Sequence, residues 1–180
     1  MPEKDLAKAL IRALTGGGSQ ADLAKAFSET LIDWVIGHAR LTVAYTGVAP
    51  GGVPEAWAGQ LQLSAGPGPV PVAPTGDWTT WLTGTGIALA TYPIVSSAGP
   101  VRPVAPFPGL SGARPGPLPG VLLQSAVRAA AERNPQDPME PVWETIGSGI
   151  IRWIIGAAPT VFPASLVGTG TGTISKIIFV

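Results

Sequence analysis

The sequence has no cysteine and little charge. The absence of cysteine excludes disulfide bonds and thiolate metal sites. Charged residues make up 12% of the 180 residues, against about 25% in typical soluble domains, and the eleven basic and eleven acidic side chains cancel. This balance argues against a general polyanion-binding role, which requires a basic stripe. Because a soluble protein with zero net charge and few charged side chains tends to associate, we expect partner proteins to cover much of the surface.

The sequence also lacks an apolar targeting segment and a long hydrophobic run. The charged start, Met1 to Asp5, predicts that there is no signal peptide. The most apolar stretch, residues 146–162, is short for a membrane span, contains Arg152 and meets Pro159. A buried helix and no membrane span are therefore expected. A membrane-associated protein that acts through this stretch stays open as an alternative function.

Amphipathic spacing predicts two helices and a strand at the N-terminal end. Apolar residues recur at i, i+3 and i+4 in both helical segments. Glycines 16–18 should stop the first helix, Ser19 with Asp22 is typical of a helix N-terminus, and Gly37 should end the second helix. The predicted elements are helices over 4–14 and 20–38 and a strand over 40–46.

The last third of the chain repeats this order. Asn134 to Asp137 should break a helix, and Asp137 followed by Pro138 and Glu140 favours the start of another, with the Asp137 carboxylate expected to cap its free N–H groups. The predicted elements are helices over 122–133 and 138–156 and a terminal strand over 173–180.

The two terminal thirds align at a constant offset of 119 residues. Residues 31–39 then face residues 150–158, and both segments place Trp three residues before Gly. Amphipathic helices that end in glycine are common, so chance similarity stays open beside duplication. We expect two similar helical-hairpin-plus-strand modules.

The middle of the chain is weakly charged and rich in Pro and Gly. Residues 41–121 hold four charged side chains, and 12 of the 22 residues from 99 to 120 are Pro or Gly. This content excludes a long helix or inner strand and favours an extended arm that lies against a surface, such as a neighbouring subunit. The chain is therefore predicted to be α+β, with an N-terminal helical hairpin and strand (1–48), a Gly/Pro-rich β or extended segment (49–98), the arm (99–120), and a C-terminal helical hairpin and terminal strand (121–180).

Candidate catalytic groups are sparse. His38, the single histidine, falls at a predicted helix C-terminus, where an imidazole caps carbonyl groups. A small hydrolase that uses His38 is a further alternative, but no nucleophile or orienting carboxylate is evident. The Gly-Thr run over 168–173 precedes a predicted strand, so it is interpreted as a flexible turn rather than a phosphate-binding loop. We expect no catalytic residue, no metal site, no cofactor and no small-molecule substrate.

Large apolar side chains are the candidate contacts with partners. Aromatic residues are enriched at protein interfaces, and a terminal strand is suited to strand addition onto the sheet edge of another chain. A nucleic-acid channel would also need nearby basic residues, so no specific nucleic acid is expected. The candidate interaction residues are Trp57, Trp78, Trp81, Phe107, Ile174, Ile177 and Phe179.

Two segments resemble a known group of proteins. A helix that ends in an aromatic residue and glycine (149–158), followed by a strand and a Gly-Thr-rich run (168–175), resembles small virion proteins encoded among the tail and baseplate genes of tailed bacteriophages. The resemblance covers about a tenth of the chain and implies no catalytic residues. It implies a structural subunit of the tail, neck or baseplate, made in the host cytoplasm and assembled into the virion with copies of itself and other structural proteins.

Overall fold

The structure is a computed structural model and describes residues 1–63, 80–81, 85, 94–95, 101–103, 120–133, 135–156 and 158–180. These residues contain four long helices and an antiparallel sheet, and the predicted α+β class is confirmed. The helices are α1 (Pro2–Thr15), α2 (Gln20–His38), α3 (Gly120–Arg133) and α4 (Met139–Ile155). The strands are β1 (Ala39–Ala49), β2 (Val53–Leu63), β3 (Ile94–Val95), β4 (Arg102–Pro103), β5 (Thr160–Ser165) and β6 (Thr169–Phe179).

Helix α2 begins with the predicted capping pair. The Ser19 hydroxyl accepts a hydrogen bond from the Asp22 amide at 3.2 Å, and the Asp22 carboxylate accepts one from the Ser19 amide at 2.9 Å. These bonds satisfy N–H groups that have no partner within the helix. The helix spans the predicted range 20–38, but Gly37 lies within its last turn instead of ending it, and the chain passes directly into β1, where the Ala39 amide still donates to the Val35 carbonyl.

Helix α4 begins differently from the prediction. Its N-cap residue is Pro138, which has helical backbone angles, and no side chain caps this end. The expected capping role of Asp137 is therefore wrong. A side chain at the N-cap position reaches the free amides of the first turn, but Asp137 lies one residue before that position.

The helices form a layer on one face of the sheet. Helix α2 contacts β2 and β6, α4 contacts β6, α1 packs on both α2 and α4, and α3 packs on α4. Helices α1 and α4 approach closely at Gly147, where a Cβ atom would lie 3.0 Å from the Glu3 carbonyl oxygen. Lys4 of α1 also forms an ion pair with Glu144 of α4 at 3.3 Å. The two helical segments of the terminal thirds thus make one helical layer.

The strand order is β3-β2-β1-β6-β5-β4, and all described pairs are antiparallel. Strand β6 lies between β1 and β5 over Thr169–Ile174, where it pairs with both strands, whereas residues 176–179 pair, among the described strands, with β1. The expected strand addition over 173–180 is therefore corrected for Thr173 and Ile174, which are paired on both sides, and stays a prediction for the rest of the segment. Strand β6 also starts at Thr169, four residues before the predicted start.

Each terminal third contributes two helices followed by two strands, but the strands take different places in the sheet. Strand β1 is central and its counterpart β5 is not, and β6 is central whereas its counterpart β2 is not. The two hairpins are therefore not related by a two-fold axis within the sheet. The predicted similarity of the halves holds for the order of elements and not for their positions.

The core lies between the helices and the sheet. Leu41, Val43 and Tyr45 of β1 are at most 1% exposed, and the aliphatic side chains of α4 at Ile150 and Ile154 are equally buried. The buried residues of the apolar stretch 146–162 thus pack against other core residues of the same chain. Among the described residues, no helix combines the length and the hydropathy needed to cross a bilayer.

Most of the predicted arm, residues 99–120, falls outside the described residues. Within its described part, Val101 is fully buried, and Arg102 and Pro103 pair with Ser165 and Ala164 of β5. This portion of the arm lies against the sheet of the same chain.

Candidate functional site

The Gly-Thr run forms part of a central strand. Gly168 immediately precedes β6, and the run continues through Thr173 within the strand, so the expected flexible turn is corrected. Because side chains alternate between the two faces of a strand, the glycines face the helical layer and the threonines face the opposite side. The face covered by the helices is called the inner face, and the opposite side of β1, β2, β5 and β6 is called the outer face.

Glycines on the inner face make room for aromatic rings. A Cβ atom at any of three positions would overlap a neighbouring ring. Each ring lies over a glycine: Phe162 over Gly172, Tyr45 over Gly47 and Trp57 over Gly59. Phe162, Gly172, Tyr45 and Trp57 are direct cross-strand partners and form one row across the four long strands. Aromatic rings thus fill space that glycines leave in the sheet.

Glu55 joins the two β-hairpins across this sheet. Its carboxylate accepts hydrogen bonds from the Val167 amide at 3.1 Å, the Gly168 amide at 3.0 Å and the Tyr45 hydroxyl at 3.2 Å. Glu55 pairs with Gly47, which pairs with Gly170. Since neither glycine has a side chain, the carboxylate reaches from β2 to the β5–β6 turn without obstruction. We refer to this set of bonds as the Glu55 clasp.

The clasp also explains the ionisation of Tyr45. Burial raises the pKa of the Tyr45 hydroxyl, and the hydrogen bond to Glu55 and the negative charge of Glu55 raise it further. All three causes favour the neutral hydroxyl, which donates to the carboxylate. Glu55 is the one carboxylate among the described residues of β1, β2, β5 and β6, and its hydrogen bonds within the chain give it a structural role.

The outer face is built from small uncharged side chains. Two adjacent rows, each crossing the four long strands, contain Ala, Thr, Val and Pro only. The rows are Val161, Thr173, Ala44 and Ala58, and then Pro163, Thr171, Thr46 and Ala56. All of these residues except the half-exposed Thr173 are exposed, and Val161 is 61% exposed.

Charged residues lie at one end of the outer face. Arg40 and Lys176 are next to the helix-connected start of β1, and Thr42 pairs with Lys176. At the opposite end, Val48 is 51% exposed and Val167 in the β5–β6 turn is 76% exposed. The outer face therefore has an uncharged centre, a basic end and an apolar end.

The predicted interaction residues that the structure describes do not lie on the outer face. Ile174 and Ile177 are at most 1% exposed and Trp81 is 8% exposed, with its ring 5.9 Å from that of Phe27. Trp57 is half-buried over Gly59, and Phe179 stacks on Trp34 at 5.1 Å between ring centroids. Trp78 and Phe107 lie outside the described residues. The expectation is corrected for Ile174, Ile177 and Trp81, because burial in the core of the same chain removes them from contact with a partner.

The small residues of the outer face were missed because the prediction favoured large side chains. A period-two signal is present in the sequence. Thr169, Thr171 and Thr173 alternate with glycines, and Ala56 and Ala58 alternate with Glu55, Trp57 and Gly59. This alternation indicates a sheet with one open face, and it identifies which face carries the small residues.

His38 caps the end of α2. Its Nδ1 atom is 2.8 Å from the Trp34 carbonyl oxygen, and its ring stacks on the Trp34 ring with 4.6 Å between centroids. The Val180 amide donates to the His38 carbonyl at 3.0 Å, which ties the chain end to the same helix end. The predicted capping role is confirmed, and this ring nitrogen is engaged by the backbone.

The described charged residues do not form a metal site. No group of three or more His, Cys, Asp or Glu side chains within the described ranges is arranged to hold a metal ion. A groove of about 350 Å³ between α1 and the start of α4 has basic residues along α1 and acidic residues along α4. Opposite charges face each other there, and Lys4 and Glu144 already form an ion pair.

The exposed, uncharged outer face is the candidate site that these contacts leave open. It lies on four hydrogen-bonded strands, so its side chains are held on a rigid surface. No family model, curated protein or solved structure matches the chain. The function is therefore inferred from the residues of this surface and from their surroundings.

Proposed function

We propose that this chain is a structural subunit of a bacteriophage virion, from the tail, neck or baseplate, that acts through subunit–subunit contacts. The observation that carries the proposal is the outer face of the sheet. Its two central rows contain no charged side chain, although seven of their eight residues are exposed.

An exposed surface without charge is suited to burial against protein. The centres of protein interfaces are depleted of charged residues, because a charge that leaves water must be paired there. Burying Ala, Val, Pro and the Thr methyl groups removes apolar area from water, and a Thr hydroxyl donates or accepts at the rim. A zero net charge adds little long-range repulsion between copies.

The rigidity of the sheet supports the same function. The Glu55 clasp and the aromatic–glycine row hold the two hairpins together, so little conformational entropy is lost when the outer face binds. The virion setting is proposed from the resemblance of residues 149–158 and 168–175 to tail and baseplate proteins.

Analysis of virus particles tests this function. Particles purified from a lysate of the host that carries the gene are expected to contain the chain at a fixed copy number relative to the other structural proteins, as measured by quantitative mass spectrometry. Recovery of the chain only outside the particles contradicts the proposal. Flotation of the chain with liposomes would instead support the membrane-associated alternative.

A further inference from the structure

We infer that the partner of the outer face is a second copy of this chain, packed face to face about a two-fold axis that lies in the interface plane and runs across the strands. The inference rests on the proposed function, because it names the first contact that the subunit makes. It follows from three properties of the outer face, namely its area, the placement of its charges and the size of its side chains.

The area of the outer face suits a dimer. Nine residue pairs join β1 and β2. At roughly 3.4 Å per residue and about 4.8 Å between strands, the outer face is about 19 Å wide, and its length is about 30 Å along β1, β2 and β6 and about 20 Å along the six-residue β5. Two such surfaces bury about 1,000 Å² in total, which is the lower limit for a specific interface. The contact is therefore expected to be reversible and to depend on concentration.

The charges select one orientation of the two copies. Arg40 and Lys176 lie at the same end of the outer face, and Val48 lies at the other. A two-fold axis along the strands would place the basic ends of the two copies together. An axis across the strands instead places the basic end of one copy over the apolar end of the other, so like charges stay apart.

The side chains of the central rows permit close packing. Sheets that pack face to face lie about 10 Å apart and at roughly −30°, and their side chains interdigitate. Ala44 and Ala58 are partners in one row, and Thr46 and Ala56, each two residues away along its strand, are partners in the next row. Under the proposed axis one row faces the other, and no side chain in either row is long enough to hold the sheets apart.

Introduced cysteines test this arrangement in the full chain. The natural sequence has no cysteine, so a single substitution introduces one thiol and gives an unambiguous cross-link. Ala44→Cys, close to the proposed axis, is expected to be linked into a covalent dimer by a bismaleimide whose spacer spans about 10 Å, because the two sheets are too far apart for a direct disulfide. Glu132→Cys, on the exposed surface of α3, is the matched control and is expected to give no covalently linked dimer.

Sedimentation equilibrium provides the second measurement. The natural chain is expected to shift from monomer to dimer over about a hundredfold range of concentration, and Thr171→Lys is expected to raise the dissociation constant by about a hundredfold or more, because two ammonium groups then meet at the centre. Circular dichroism verifies that the variant is folded.

Two results would overturn the inference. One is a monomer at every concentration together with no cross-linked dimer of Ala44→Cys, and the other is a dimer that Thr171→Lys leaves unchanged. If the monomeric chain is nevertheless present in virus particles, the second copy is the wrong partner and the proposed function stands. If the chain dimerises as described but is absent from particles, the proposed function fails and the interface stands.

Discussion

Replacing Glu55 with alanine removes the clasp between the two β-hairpins. Three hydrogen bonds end on this carboxylate, from the Tyr45 hydroxyl and from the amides of Val167 and Gly168. The Val167 amide is in an exposed position and is hydrated after the substitution, so its loss costs little. The other two donors are partly buried.

The expected loss of stability follows from the exposure of these three donors. A hydrogen bond to a charged acceptor contributes about 1.5–3 kcal/mol, and partial exposure reduces this contribution. With about 1 kcal/mol or slightly more for each partly buried donor, Glu55→Ala is expected to lower the free energy of unfolding by about 2–3 kcal/mol. For a chain of this length the midpoint of thermal unfolding should fall by about 5–10 °C.

Urea denaturation followed by circular dichroism measures this change. Glu132→Ala, which removes an exposed carboxylate on α3, is the control and is expected to change stability by less than about 0.5 kcal/mol. Glu55→Gln keeps an acceptor oxygen and loses the charge, so an intermediate effect is expected. Equal stabilities of the Glu55→Ala and Glu132→Ala variants would refute the clasp.

Three further predictions concern other parts of the fold. Gly172→Ala should destabilise the chain by about 1–3 kcal/mol, because the new Cβ atom overlaps the Phe162 ring. Gly37→Ala has open space around the new Cβ atom and should stabilise the chain by about 0.5–1 kcal/mol. Equal urea midpoints of the two variants would contradict this prediction. Hydrogen bonds from the Ser19 hydroxyl and amide lower the pKa of Asp22, so its contribution to stability is present above the ordinary carboxyl pKa and is lost as the pH falls through the lower folded value; Ser19→Ala should reduce this acid loss in a series of urea melts. Burial and Glu55 raise the pKa of Tyr45, so its contribution is complete below the ordinary tyrosine pKa and is lost as the pH rises through the higher folded value; Tyr45→Phe should weaken the alkaline dependence, and an unchanged dependence would contradict it.

The helices were predictable because their signals are local. The Ser19–Asp22 pair and the spacing of apolar residues define α2, and the prediction of its ends differs little from the structure. The stopping role predicted for Gly37 is wrong because a glycine stops a helix only when the backbone turns there, and here the turn into β1 comes after His38. A Pro138 that itself takes helical angles likewise removed the expected role of Asp137.

The sheet and the candidate site were less predictable because they depend on contacts distant in sequence. Glycines favour a turn unless neighbouring side chains fill the space above them. Here the Phe162 ring lies over Gly172, and this contact between two strands is not visible in the local sequence of residues 168–173. The Glu55 clasp joins positions more than a hundred residues apart. Large apolar residues such as Ile174 were selected as contacts with partners, although their hydrophobicity equally favours the core, where they lie.

Incorporation of outer-face variants into virus particles tests the central claim most directly. Ala58→Lys places a charge in the uncharged centre of the outer face, and Ala129→Lys places the same charge on the exposed surface of α3. When each variant replaces the natural chain, the account predicts that the Ala129→Lys chain is present in purified particles at the natural copy number and that the Ala58→Lys chain is largely absent, although both are folded. Equal incorporation of the two variants would show that the outer face is not the assembly surface.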